Sequence, residues 1–373
     1  MLRLAVPVVL AELGWMAMSI VDTMMVGRIS PEAIGAVSIG GVLFYTVGVF
    51  GTGMLLGLDT LVPQAFGAGD VEDCHHSLVQ AVYGVLVLGP ALMFPMFLVL
   101  PSLSHMGLAP EVAELTGPYA RALLWSAVPL LLFMTFRQYL QGMNLVRAIT
   151  FTLISANLVN ILANWVFIFG NLGMPAFGVE GAGWASCASR VYMCLALGGY
   201  MAWDAHKRKT GLFRASLGVD WARLRKLAAL GFPAATQRGL EIGVFALATT
   251  LIGTLDAASL AAHQVALNAA SVTFMVPLGI SSAAAVRVGQ ALGRRDPEWA
   301  HLSGWTALGL GGLFMAFAGL CFFAFPEAIV RVFSQDEAVI AIGVKLLYIA
   351  ALFQLSDGFQ VVATGALRGA GDT

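Results

Sequence analysis

Apolar residues follow one another along this chain in runs too long for the helices of a soluble protein. Residues 82–101, 149–170 and 305–326 contain no Asp, Glu, Lys or Arg. About 20 such residues cross the hydrocarbon core of a bilayer, where each backbone N–H and C=O must be satisfied within its own segment. The pattern predicts an all-α polytopic membrane protein. Its ten predicted spans cover residues 2–26, 34–58, 76–100, 118–141, 149–170, 181–203, 228–252, 260–284, 301–324 and 343–366.

A short motif occurs twice along the chain. Residues 64–70 read QAFGAGD and residues 290–296 read QALGRRD, an offset of 226 at which Pro7 aligns with Pro233 and Gly53 with Gly279. So long a fixed period indicates a duplicated half-molecule. We expect two repeated helical bundles, with six spans in the first and four of an expected six in the second, the last two lying beyond this sequence. The predicted domains are 1–203, a linker at 204–227, and 228–373.

Composition and charge narrow the class of protein further. Of 373 residues, 59% are hydrophobic and 11% are charged, against about 25% charged in soluble domains. The net charge of −1 gives no reason to expect a nucleic-acid partner. The four cysteines show no metal-binding spacing, so we expect no resident cofactor.

Basic residues between the spans predict the orientation. Lys and Arg are retained on the cytoplasmic side, and many of them lie in the 204–227 linker and in two other connections. They are Lys207, Arg208, Lys209, Arg214, Arg223, Arg225 and Lys226 in the linker, with Arg147, Arg287, Arg294 and Arg295 elsewhere. Both halves therefore start in the cytoplasm, which predicts an axis along the membrane normal and a cleft between the bundles.

Charged residues inside the predicted spans are candidates for function, because each costs at least about 2.5–3.5 kcal/mol in the hydrocarbon core. The candidates chosen by position are Glu12, Asp22, Arg190, Arg238, Glu241 and Asp357. Four acids against two arginines predict a negative interior that suits a cation. Arg238 and Glu241, at i and i+3, either form a neutral pair or leave Glu241 free for an ion. Asp22 and Asp357 have no basic neighbour within one helical turn.

Three asparagines lie on one face of the fifth predicted span. Asn157, Asn160 and Asn164 are three and four residues apart. They either hydrogen-bond between packed helices or surround Asp22 in a pocket that holds a proton or a small ion. The residues alone leave both alternatives open.

Several motifs, in this order, resemble the multidrug and toxic compound extrusion (MATE) family, in its bacterial NorM-like branch. They are VDTMMVGR, QAFGAGD, NLVNILANWVFIFG, GVEGAGWAS, GFPAATQRGLE, AAHQVALN, QALGRRD and SDGFQVVATGALRGAGD. The resemblance implies a twelve-helix fold of two lobes forming a V, in a bacterial inner membrane. It also implies export of cationic or amphipathic compounds in exchange for Na⁺ or H⁺, with no other cofactor.

The resemblance also implies two cation-coupling sites. Asp22, Asn160, Asn164 and Ser186 match the first, and Glu241 and Asp357 match the second, so that Na⁺ is expected at either. Phe353 occupies a position that is tyrosine in some Na⁺-coupled members. Glu12, Asn157, Arg238 and Phe353 are further substrate-binding or structural positions.

These features predict a secondary active antiporter that works by alternating access as a lipid-embedded monomer. An enzyme would need a nucleophile and base at membrane depth, and none is present. The alternative is a flippase for a lipid-linked oligosaccharide or cell-wall precursor, which would need several arginines in the cleft. Among the candidates chosen by position there are only two arginines, Arg190 and Arg238.

Overall fold

The computed structural model describes residues 1–105, 110–214 and 216–373, and helices make up nearly all of this part of the chain. In order, they are α1 (Leu2–Val26), α2 (Pro31–Met54), α3 (Leu58–Gly67), α4 (Val71–Val99), α5 (Pro110–Leu124), α6 (Ala127–Gly142), α7 (Val146–Phe169), α8 (Val179–Arg208), α9 (Trp221–Gly253), α10 (Ala257–Gly293), α11 (Pro297–Ala324), α12 (Pro326–Phe333) and α13 (Glu337–Ala370). Short 3₁₀ segments lie at Leu55–Gly57, Leu100–His105 and Leu212–Arg214.

The helices account for the ten predicted spans. Within the described residues, seven helical segments are long and apolar enough to cross a membrane, and the bent pair of α5 and α6 makes eight. The helices α8 and α9 cover the other two predicted spans but are less apolar than the eight, because polar side chains lower their hydropathy. Among these side chains are Arg190 in α8 and Arg238 and Glu241 in α9. The chain is therefore a multi-pass membrane protein.

Three predicted boundaries are wrong. The second span does not end at residue 58, because the 3₁₀ turn at Leu55–Gly57 leads directly into α3 and the helix continues to Gly67. The eighth span extends to Gly293, so Arg287 lies inside a helix rather than after it. The fourth span is broken after Leu124 and bends by 45°. Hydropathy marks only the apolar part of each helix, and these helices continue beyond it.

The repeated motif is a contact between the two bundles. We call α1–α8 the N-bundle and α9–α13 the C-bundle. A Cβ atom at Gly67 would lie 2.1 Å from the carbonyl oxygen of Gln290, and one at Gly293 would lie 2.0 Å from that of Gln64. The two contacts are related by the offset of 226, so each copy of the motif packs on the other. Only glycine allows backbones to approach this closely.

Side chains of the same motif add hydrogen bonds between the bundles. Gln290 Nε2 donates to the Gly142 carbonyl at 2.8 Å, and Gln64 Nε2 donates to the Gly369 carbonyl at 3.0 Å. Each glutamine therefore satisfies a carbonyl at the end of a helix in the opposite bundle, where carbonyls lack intrahelical partners.

All these contacts lie at one end of the molecule, which we call the basic end because Arg147, Arg294, Arg295 and the linker also lie there. Further contacts at this end join Leu4, Ala5 and Val8 of α1 to Ile280, Ala283 and Ala284 of α10. Gly231 of α9 packs against the Met54 carbonyl in the same region. The bundles are thus closed together at the basic end, and a cavity lies between them further along the spans.

The linker is attached to α4. Asp220 accepts hydrogen bonds from the first backbone N–H groups of α9 and also contacts His76 at 3.0 Å. The hydrogen bond with His76 lowers the pKa of the Asp220 carboxyl below its ordinary value. Arg223 forms an ion pair with Asp73 of α4. Residue 215 of the predicted linker lies outside the described residues.

Candidate functional site

The structure brings together the four residues of the first predicted site. Asp22 of α1 faces α7 and α8, where its Oδ1 accepts hydrogen bonds from Asn160 Nδ2 at 2.9 Å and Asn164 Nδ2 at 2.6 Å. Ser186 Oγ donates to the other carboxylate oxygen at 3.0 Å. Asn160 and Asn164 are completely buried, because their spacing of four residues places both on the inner face of α7.

This network retains unused oxygen atoms. A carboxylate has about four acceptor sites, and Asp22 uses three of them. Asn160 Oδ1 accepts a bond from Asn164 Nδ2 at 3.2 Å, whereas the buried Asn164 Oδ1 has no hydrogen-bond partner. Carboxylate and amide oxygens are ligands for hard cations, and a carboxylate can also bind a proton. The arrangement can therefore hold either ion.

Asn157 does not join this network. Its Nδ2 donates to the Gly14 carbonyl at 3.0 Å and to the Leu153 carbonyl at 2.8 Å. Asn157 thus joins α7 to α1 one turn away from Asn160, which is a structural role. Of the two alternatives for the asparagines, interhelical bonding describes Asn157, and a pocket around the acid describes Asn160 and Asn164.

Arg190 lies one turn beyond Ser186 but is held by other groups. Its Nη1 donates to Ser126 Oγ at 2.5 Å, and its guanidinium lies 4.5 Å from the centre of the Phe44 ring. The described residues include no ion pair within 4 Å between Arg190 and Asp22. Arg190 therefore connects helices of its own bundle.

Glu12, predicted to be a substrate-binding or structural position, has a partner that the sequence did not reveal. Glu12 forms an ion pair with Arg137 of α6, and the two side chains are only 12% and 8% exposed. The partner is 125 residues away, so helical spacing could not reveal it. With Arg137 beside it, Glu12 is neutralised and contributes to packing between α1 and α6 rather than to an open acidic site.

The second predicted site lies in a cavity of about 580 Å³ between the bundles. It is formed by α2 on one side and by α9, α10 and α13 on the other, and its volume falls within the range of small-molecule sites. Glu241, Asp357 and Arg238 all line it. The side chains of these three residues form no hydrogen bond or ion pair with any part of the chain that the structure describes. The predicted alternative of a local Arg238–Glu241 pair is therefore not adopted.

Aromatic rings surround these charges. Tyr45, Phe245, Phe274 and Phe353 line the cavity, and Phe245 meets Phe353 edge to face with ring centres 6.3 Å apart. Phe353 lies one turn before Asp357 and has no hydroxyl to offer a cation. Aromatic faces attract organic cations, especially where water is excluded. The cavity thus combines free carboxylates with surfaces suited to a flat, positively charged molecule.

A buried ion pair that sequence analysis missed lies at the basic-end side of the cavity. Asp59 of α3 is 3.9 Å from Arg368 of α13, and the two side chains are 2% and 6% exposed. Thr60 Oγ1 donates to the Arg368 carbonyl at 2.5 Å. This pair joins the two bundles. The count of four acids against two arginines was therefore incomplete, because it omitted Asp59, Arg137 and Arg368.

Comparison with known proteins agrees with this geometry. The sequence model of the family described as MatE matches residues 7–166 and again residues 233–373. The second match begins 233 − 7 = 226 residues after the first, which is the offset of the repeated motif. Both halves of the chain are therefore instances of one family unit.

Curated relatives match over the whole chain. A probable multidrug resistance protein NorM from Mesorhizobium japonicum is 35% identical, covering 100% of this chain and 81% of its own length. The multidrug resistance protein NorM of Aliivibrio fischeri is 32% identical, covering 99% of this chain and 80% of its own length.

Solved structures share the fold. The eukaryotic MATE transporter AtDTX14 matches with a TM-score of 0.88 at 21% identity, covering 100% of this chain and 82% of that one. An outward-facing multidrug resistance MATE family transporter of the MOP superfamily matches with a TM-score of 0.86 at 20% identity and the same coverage. At these identities the likeness shows the V-shaped helical fold alone. Together with the family match and the bacterial relatives, it identifies the chain as a multi-pass inner-membrane transporter, not an enzyme, that belongs to the MatE family.

Proposed function

We propose that this protein is a secondary active antiporter that exports cationic or amphipathic organic compounds in exchange for Na⁺ or H⁺. The main observation in support is the pair of unpaired carboxylates, Glu241 and Asp357, in the cavity between the bundles. Charges without partners at membrane depth are costly, and they are retained where they bind ions or substrates. The names of the curated relatives, as multidrug resistance proteins, support the class of substrate.

The proposed mechanism depends on competition for the same charge. An organic cation bound against Phe245 and Phe353 is held by the carboxylates of Glu241 and Asp357. A proton or Na⁺ that reaches these carboxylates neutralises them, and the organic cation then loses its attraction to the cavity. One carboxylate cannot neutralise both ions at once, so uptake of one favours release of the other. A ligand shifts a conformational equilibrium only by binding the two states differently.

Alternating access requires that only one end of the cavity is open at a time. In this structure the repeated motif and the Asp59–Arg368 pair hold the bundles together at the basic end. This arrangement supports an outward-open state, with the basic end in the cytoplasm. Export then requires a second state in which these contacts separate and the opposite ends of the bundles come together.

Asp22 is proposed as a second coupling position. It lies within the N-bundle among Asn160, Asn164 and Ser186, apart from the residues that line the cavity. An ion taken up here would alter the hydrogen bonds among α1, α7 and α8, and α1 also forms part of the contact between the bundles. Each proposed site is completed within one chain, which supports a monomer as the working unit.

The flippase alternative has less support. A lipid-linked pyrophosphate would need several free arginines in the cavity, as phosphate groups are bound by guanidinium donors. Arg238 is unpaired there, but Arg368 faces Asp59 and Arg190 is held by Ser126 and Phe44. The free acids favour a positively charged substrate.

The test is export of a fluorescent organic cation by the purified protein in proteoliposomes, with Na⁺ and pH gradients imposed separately. We expect Asp22→Asn and Asp357→Asn each to lower the rate of transport by about tenfold or more, the effect of losing one charge-assisted interaction. Glu298→Gln, which removes an exposed acid at the start of α11, is the matched control and should transport normally. Full transport by both aspartate variants would contradict the proposal.

A further inference from the structure

A second cavity, of about 460 Å³, lies at the basic end between the two bundles. Four arginines line it, each from a different helix: Arg3 of α1, Arg147 of α7, Arg208 of α8 and Arg287 of α10. No acidic residue is among its lining residues. Four positive groups converge on one space, although the chain as a whole carries a net charge of −1.

Three of these arginines have no counter-charge. Arg208 forms an ion pair with Asp204, its neighbour four residues back, at 2.8 Å. Within the described ranges, Arg3, Arg147 and Arg287 take part in no ion pair or side-chain hydrogen bond. Arg287 Nε is in addition buried without a hydrogen-bond partner. A buried, charged N–H donor that lacks a hydrogen-bond acceptor is energetically unfavourable. The Arg287 guanidinium therefore indicates that an anion normally occupies this cavity.

The chemistry of the donors indicates a phosphate group. Guanidinium groups present two parallel N–H donors that match two oxygens of a phosphate. Several guanidiniums around one cavity can satisfy the three or four oxygens that a phosphate carries. A carboxylate ligand has only two oxygens and would leave part of the arginine cluster without partners.

The position of the cavity indicates that the phosphate belongs to a lipid. Arg3 and Arg147 are each the second residue of their helix, and Arg208 is the last residue of α8. Arg287 is six residues before the end of α10, or roughly 9 Å along the helix axis. These residues therefore lie near the level of the lipid headgroups. Leu2 and Val6, on either side of Arg3, are 60% and 52% exposed and offer an apolar surface to an acyl chain.

We propose that Arg3, Arg147 and Arg287 bind the phosphate of an anionic phospholipid headgroup, and that this lipid bridges the two bundles. Arg3 and Arg147 belong to the N-bundle, and Arg287 belongs to the C-bundle. Basic pockets between transmembrane helices on the cytoplasmic side are suited to such headgroups. The proposal does not depend on which compound the protein exports.

The bound lipid would favour the state in which the basic end is closed. Asn144 also lines this cavity, and its Nδ2 donates to Gln290 Oε1 of the opposite bundle at 3.2 Å. Separation of the bundles would move Arg287 away from Arg3 and Arg147 and divide the phosphate site. Anionic lipid therefore stabilises the closed basic end, because the phosphate site is complete only while Arg287 lies close to Arg3 and Arg147.

The experiment is a titration of the detergent-purified protein with dioleoyl-phosphatidylglycerol, with dioleoyl-phosphatidylcholine and with inorganic phosphate alone. Binding is followed by native mass spectrometry and by the shift in Tm. We expect phosphatidylglycerol to bind and to raise Tm, and Arg147→Gln and Arg287→Gln each to weaken its binding by about tenfold or more. Arg294→Gln, an exposed arginine at the end of α10 outside the cavity, should bind as the unchanged protein does.

Other outcomes would overturn the proposal. Equal binding of phosphatidylcholine would show that the negative charge is not recognised, and unchanged binding by both glutamine variants would exclude these arginines. If inorganic phosphate alone raised Tm as much and displaced the lipid, the site would serve a soluble anion. Arg3→Gln and Arg147→Gln change exposed residues at helix ends, so they remain informative even if Arg287→Gln fails to fold.

Discussion

At the scale of single residues, two groups of interior charges differ in whether a counter-charge lies beside them. Glu12 with Arg137 and Asp59 with Arg368 are buried ion pairs. Glu241, Asp357 and Arg238 line the main cavity without an ion pair or hydrogen bond to any residue that the structure describes. Members of the first group stabilise the packing of helices, because their charge is already compensated. Members of the second group are available to a ligand, and the proposed transport depends on the two acids among them, Glu241 and Asp357.

The Glu12–Arg137 pair permits a direct test of the distinction between paired and unpaired interior charges. Arg137→Met should leave Glu12 buried without a counter-charge and destabilise the protein by about 3–5 kcal/mol, whereas Glu12→Leu combined with Arg137→Met should recover much of that loss. Thermal unfolding of the single and double variants in detergent measures the difference. If the double variant were no more stable than Arg137→Met alone, Glu12 and Arg137 would not compensate each other's charge.

The Asp59–Arg368 pair should behave differently, because it joins the two bundles. Asp59→Asn keeps the size of the side chain but removes its charge, so Arg368 is left without compensation between α3 and α13. We expect amide hydrogens in α3 and at the end of α13 to exchange faster, while α7 remains protected. Hydrogen exchange measured by mass spectrometry follows each helix separately. Faster exchange throughout the protein would instead indicate general destabilisation.

At the scale of helices, the repeated motif explains how the two bundles meet. Gly67 and Gly293 allow each copy of the motif to contact the backbone of the other. The same two glutamines that identify the repeat in the sequence hydrogen-bond to helix ends across the interface. The repeat is therefore a symmetric contact, and it lies where the bundles must separate if the transporter is to change state.

Substitution of these glycines should weaken that contact. The methyl group of Gly293→Ala would lie 2.0 Å from the Gln64 carbonyl oxygen, so the bundles would have to move apart. Such overpacking costs about 1–3 kcal/mol, and we expect a lower Tm with faster hydrogen exchange in α3 and at the end of α10. Gly309→Ala, for which nothing lies within 4 Å of the new Cβ, is the control. Equal effects of the two substitutions would contradict the proposed contact.

Much of the fold could be predicted from the sequence, because hydropathy and the offset of 226 are local or periodic signals. The grouping of Asn160, Asn164 and Ser186 around Asp22 follows from the family resemblance, whereas the shared helix face of the two asparagines by itself left interhelical bonding as an alternative. The ion pairs were missed for a different reason. Arg137 is 125 residues from Glu12 and Arg368 is 309 from Asp59, so only the packing of helices brings them together. The domain boundaries and the roles of the site residues stay predictions.

At the scale of the whole molecule, two similar bundles carry different chemistry. The N-bundle holds Asp22 among hydrogen-bond donors, while the C-bundle supplies Glu241 and Asp357 to the cavity between the bundles. The basic end is closed by the repeated motif, and the proposed lipid would strengthen that closure. Exchange of one cation for another at the cavity carboxylates would then be linked to movement of one bundle against the other.

The most direct test of this account is equilibrium binding of a fluorescent organic cation to the purified protein as pH is lowered or Na⁺ is added. The account predicts that H⁺ or Na⁺ displaces the organic cation from the unchanged protein. It also predicts that Glu241→Gln combined with Asp357→Asn both weakens its binding and abolishes the displacement. If the double variant bound the cation as tightly as the unchanged protein, and released it at the same pH or Na⁺ concentration, the cavity carboxylates would not be the shared site.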